Sequence, residues 1–138
     1  MNRRDFQALA NVRLEEAKAL LDAGHPAGAY YLAGYAIECA LKACIARKTR
    51  EHDFPPDPET VRQIYSHRLP VLLVRAGLDG QLSREAPEGS PLDRHWATVL
   101  RWKEDSRYRP IDAGQARTLY NAIAEPRNGV LAWLQRNW

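Results

Sequence analysis

Glu38 and Lys42 are the first residues to explain. They stand four apart, in the order that lets a carboxylate and an ammonium pair along a helix, inside a segment (Pro26 to Lys48) that is otherwise nearly all apolar. Tyr30, Ala33, Gly34, Ile37, Leu41, Cys44 and Ile45 follow helical spacing, and Tyr31, Tyr35, Glu38 and Lys42 repeat it on a second face. A helix apolar nearly all round belongs at the centre of a fold. A carboxylate buried there requires a cationic partner, because an uncompensated buried charge costs several kcal/mol. Two readings follow: an ion pair that fixes helix register, or the floor of a polar cavity.

Other chemistry is thin. Cys39 and Cys44 are the only cysteines. On a helix they turn about 140° from each other, so they cannot bridge and read as small core fillers. No further Cys or spaced His pair completes a zinc set, and no cofactor is expected. The chain has no phosphate-cradling Gly-rich loop followed by Lys-Ser/Thr, no GxGxxG, no HExxH and no Gly-x-Ser-x-Gly elbow.

The elements that must position these residues are helices. A first helix over about Arg3 to Ala23 starts at an Asn2/Asp5 capping box and stops at Gly24. Pro26 opens the second. A proline-rich loop follows, then short helices over about Asp57 to Tyr65 and Leu69 to Ala76. Asp79 to Gly89 reads as loop with one helical turn. Ser90-Pro91-x-Asp93 starts another helix, expected to run to about Glu104. Asp112-x-x-Gln115 starts a last helix, with Pro126 expected to kink it rather than divide it. Nothing alternates with period two, so strands are not expected. The expected fold is all-α: one domain over residues 1–138, an up-and-down bundle of four to five main helices.

The chain's 138 residues carry 16 Arg, 4 Lys and a net charge of +3. The charge is uneven: +3 over residues 1–50, −3 over 51–100 and +3 over 101–138. An anionic partner is therefore expected at the two ends of the chain, with Arg101, Arg107 and Arg109 leading into the last helix. No apolar stretch is long enough to span a bilayer and no leader pattern precedes the first helix, so a cytoplasmic protein without a membrane partner is expected.

Residues 29–42, AYYLAGYAIECALK, resemble the signature helix of HEPN domains (higher eukaryotes and prokaryotes nucleotide-binding). Glu16-Ala17 and Leu20-Leu21 ahead of it agree, as do His67-Arg68-Leu69, Trp102 with Arg107-Tyr108, and Gly129-Val130-x-x-Trp133 behind it. The resemblance implies a helical bundle that forms a homodimer. Members are often encoded beside a minimal nucleotidyltransferase, as in toxin–antitoxin pairs. Catalytic members are metal-independent RNases using an Arg-x4–6-His motif, and others bind nucleotide or act as scaffold.

Two Arg/His pairs fit that spacing, Arg47 with His52 and Arg62 with His67. With 4 His and 16 Arg, chance alone gives roughly 1.4 such matches. Both also lie ahead of the family's usual late position, where Arg101 and Arg107 have no following His. The leading expectation is a non-catalytic accessory partner of a nucleotidyltransferase. An endoribonuclease and a plain dimeric scaffold are the alternatives. If a ligand cavity exists, Tyr31, Tyr35, Glu38, Lys42, His67, Trp102, Arg107 and Tyr108 are its candidate lining: cations for phosphate, aromatics for a base.

Overall fold

The computed structural model describes the backbone of residues 1–52 and 57–138 and the side chains of 1–49 and 57–138. Helix α1 (Arg3–Asp22) starts where expected: Asn2 accepts the Asp5 N–H, and the Asp5 carboxylate accepts the Asn2 N–H. It ends at Gly24, whose φ of +83° is a left-handed conformation that glycine adopts without a Cβ clash. Gly24 N–H then reaches Leu21 O and His25 N–H reaches Leu20 O, which satisfies two terminal carbonyls and reverses the chain. Helix α2 (Pro26–His52) runs back along α1 and extends a full turn beyond the expected Lys48.

Helices α3 (Pro58–Ile64), α4 (Leu69–Arg75) and α5 (Asp79–Glu85) are short. The segment expected to be mostly loop thus holds a seven-residue helix, anchored by buried Leu82. Helix α6 (Pro91–Leu100) starts at the Ser90 cap but stops four residues before Glu104. Arg101 caps it, and a 3-10 turn (Glu104–Tyr108) begins where the helix was expected to end. Helix α7 (Ala113–Ala124) begins at the Asp112/Gln115 capping box, and α8 (Val130–Gln135) closes the described fold.

The expected kinked last helix is two helices. Glu125 has ψ +126°, extended as the residue before a proline prefers. Its carboxylate then accepts the Arg127 and Asn128 amides, which fixes a turn and not a kink. The matching apolar phase on either side of Pro126 arises because α7 and α8 both face the same core.

Four helices, α1, α2, α6 and α7, have ten residues or more, in line with the bundle expected. Among the described residues the regular structure is all helical. Helix α2 is the centre and packs on α1, α4, α7, α8 and the 3-10 turn. Ile37, Leu41, Leu72, Leu119, Ile123 and Leu134 are fully buried around it, each stabilising the fold by about 1.5–3 kcal/mol. Among the described residues no helix is long and apolar enough to cross a membrane.

Candidate functional site

Glu38 sits inside α2 with 1% of its surface exposed. Its Oε1 accepts from Lys42 Nζ at 2.9 Å and from His67 Nδ1 at 2.9 Å. A carboxylate only accepts here, so Nδ1 carries a proton. His67 is placed by the loop before α4, where Leu69 is fixed in the core. Its Nε2 lies 3.5 Å from Glu104 Oε1 on the 3-10 turn, and Glu104 lies 3.9 Å from Arg107 Nη2. Lys42, Glu38, His67, Glu104 and Arg107 therefore form one continuous line of polar side chains, with a carboxylate on either side of the imidazole. It runs from a nearly buried ammonium (14% exposed) to a half-exposed guanidinium (45%).

The aromatics stand beside this line. Tyr31 stacks on Tyr35 at 6.2 Å and tilts against Trp102 at 6.3 Å. Trp102 is buried because Gly34 leaves room for it: a Cβ on Gly34 would overlap the indole. Its Nε1 and the Glu38 Oε2 are both buried without a hydrogen-bond partner among the described residues. Arg107 lies 4.8 Å over the Tyr108 ring, and Tyr108 is among the most exposed aromatics. Tyr108 first, and then Tyr31, hold the Arg107 guanidinium above its ordinary pKa.

The eight residues of the candidate lining thus fall in one neighbourhood with unequal access. Glu38, Lys42 and Trp102 lie beneath the surface; His67, Arg107 and Tyr108 reach solvent. Of the Arg/His pairs, Arg62 is ion-paired to Glu59 at 2.6 Å on exposed α3, and Arg47 donates to Asn137 O at 3.2 Å. The side chain of His52 lies outside the described residues. The thiols offer no nucleophile: burial first, then neighbouring Glu38, pushes Cys39 up to about 11, and burial pushes Cys44 up to about 12.

The 3-10 turn has a second edge. With three residues per turn, positions three apart lie above one another. Glu104 and Arg107 face the polar line, while Lys103, Ser106 and Arg109 line a groove of about 530 Å³ beside Tyr30 and the start of α7. Sequence reasoning marked Arg101 and Arg109 as carriers of charge but did not gather them into a groove. The helix expected to about Glu104 holds Arg101 and the exit after it holds Arg109, so their meeting across the 3-10 turn has no local signal.

Residues 5–69 match the family model of the HEPN domain, a stretch that holds α1 from Asp5 onward, α2, α3 and His67. Comparison with curated proteins and with solved structures finds no match.

Proposed function

Residues 5–69 match the HEPN domain model, and we propose that the chain is a non-catalytic, RNA-binding member of that family that serves as accessory partner of a nucleotidyltransferase. The observation that carries the non-catalytic reading is the placement of Arg62. An Arg/His pair that cleaves RNA needs its guanidinium beside the imidazole, to stabilise the charge that develops as the base takes a proton from a ribose hydroxyl. Arg62, the sequence companion of His67, is instead ion-paired to Glu59 on exposed α3. His67 Nδ1 donates to Glu38, and its Nε2 lies 3.5 Å from Glu104.

RNA binding rests on the exposed Arg107–Tyr108 pair. An uncovered ring with a guanidinium over it offers stacking to an unpaired base and charge to its phosphate. The accessory role, and the toxin–antitoxin setting it belongs to, rest on the family resemblance. The test of that role is whether a small nucleotidyltransferase is encoded beside this chain and co-elutes with it; absence of both would overturn it.

The test uses the purified chain and a single-stranded RNA ending in a 5′-hydroxyl, without added metal. The RNA stays intact, and its fluorescence anisotropy rises on binding. Cleavage that disappears in His52→Ala or His67→Ala would overturn the non-catalytic reading. Unchanged anisotropy would overturn RNA binding.

A further inference from the structure

The groove on the far edge of the 3-10 turn is built differently from the polar line. Arg101, at the end of α6, and Lys103 have no carboxylate within ion-pair distance among the described residues, and both line the groove. Arg109 lines it too, paired at 2.7 Å with Asp105. Both members of that pair are more than half exposed, so water already screens it and an incoming anion can displace the carboxylate at small cost. The groove's fixed charge is three cations against one carboxylate. Arg101 and Arg109 also lie close enough to the Tyr30 hydroxyl to oppose the rise in its pKa that burial causes.

A second, independent feature points the same way. Ser106 is 96% buried and lines this groove, yet its Oγ has no hydrogen-bond partner among the described residues. A buried hydroxyl left unpaired is unfavourable by the desolvation of the group, and a ligand oxygen would satisfy it. Gly114 brings the first turn of α7 to the groove wall. The Gln115 amide there is taken by Asp112, while the earlier amides of a helix have no intrahelical acceptor. The volume is that of a small-molecule site, far short of a duplex or a protein surface.

We propose that this groove is a binding site for the diphosphate unit of a small phosphorylated molecule, held by Arg101, Lys103 and Arg109 with Ser106 donating from the floor. Two linked phosphates offer a second charge-assisted contact to this set of cations that a single phosphate lacks. The site is separate from the Arg107–Tyr108 face and does not depend on RNA binding there.

The test is calorimetric titration of the full chain with inorganic pyrophosphate, with inorganic phosphate as the comparison. Pyrophosphate binds at least about tenfold more tightly than phosphate, as expected when a second charge-assisted contact is added. Arg101→Gln and Lys103→Gln each weaken it about tenfold, and Ser106→Ala about fivefold. Arg84→Gln, an exposed arginine on α5, changes it less than twofold, which excludes a mere effect of net charge. Circular dichroism of each variant shows an intact helical fold. Absence of pyrophosphate binding to the unmodified chain overturns the proposal, as does equal binding by the folded Arg101→Gln/Lys103→Gln double variant. Titration with ATP and AMP then extends the result: ATP follows pyrophosphate and AMP follows phosphate, and the reverse order overturns the diphosphate assignment. Pyrophosphate binding without RNA binding sinks the Arg107–Tyr108 reading alone; RNA binding without pyrophosphate binding sinks this one alone.

Discussion

The two edges of the turn Glu104–Tyr108 carry the same residue types and resolve them in opposite ways. On the edge facing α2, every charge has an opposite neighbour: Glu104 lies beside Arg107 and Glu38 beside Lys42, with the His67 ring between the two carboxylates. On the edge facing α7, Arg101 and Lys103 have none among the described residues and the Ser106 hydroxyl is idle. Internal neutralisation holds an element in place; cations left without partners are available to a ligand. The difference separates a polar cluster that holds the bundle together from a groove suited to receive an anion.

Removing the centre of the neutral edge has the largest effect. Glu38→Ala leaves Lys42 nearly buried and unpaired, and strips His67 of its acceptor. Stability to urea falls by about 3 kcal/mol, because truncating one partner of a buried pair strands the other. Glu38→Gln falls by less, since the amide oxygen still accepts. A loss smaller than about 1 kcal/mol for Glu38→Ala would show that this edge holds nothing.

Gly34→Ala comes next and strikes both edges together. The added methyl overlaps the Trp102 indole, and Trp102 is the residue from which the turn departs. Overpacking of this kind destabilises by about 2 kcal/mol. Displacing Trp102 also shifts the tryptophan fluorescence and weakens pyrophosphate and RNA binding together. If only one of the two ligands is affected, the edges do not share the support that the structure gives them.

Why part of this was legible in the sequence, and part not, follows from the same residues. Glu38 and Lys42 announced themselves because a helix encodes its neighbours at fixed spacing. The capping boxes at Asn2 and Asp112 were readable for the same reason, being contacts across three residues. The kinship of α2 was readable in one segment. His67 and Glu104 are 29 and 66 positions from Glu38, and nothing local encodes their meeting. The groove was hidden by a misread element. Continuing α6 to Glu104 puts Lys103 on its apolar stripe, whereas a stop at Leu100 followed by a 3-10 turn puts Lys103 in line with Ser106 and Arg109. Pro126 misled in a related way: the apolar phase persisted across it because tertiary packing, not a continuous helix, sets that phase.

At the solvent end of the neutral edge, Tyr108→Ala weakens binding of the 5′-hydroxyl RNA about tenfold, the loss of one stacked base. Glu104→Gln moves the same measurement the other way. It removes the anion beside Arg107 and makes this edge resemble the groove, so RNA binds about threefold more tightly. Tightening by Glu104→Gln together with no change in Tyr108→Ala would assign the RNA contact to charge alone.

The smallest effect is the most discriminating, because its two readouts have opposite signs. Asp112 caps α7 by accepting the Gln115 N–H at 2.8 Å, and in the chain it lies between Ile111 and Gly114, which both line the groove. Asp112→Ala loses that cap, lowering stability by about 1 kcal/mol. The same change deletes a negative charge at the helix N-terminus and frees the Gln115 amide, both of which favour an anion there. Pyrophosphate therefore binds about twofold more tightly to the less stable protein. A ligand that merely sensed overall folding would bind more weakly. Tighter binding requires that the anion sit against the first turn of α7, which is where the unneutralised edge of the turn points it.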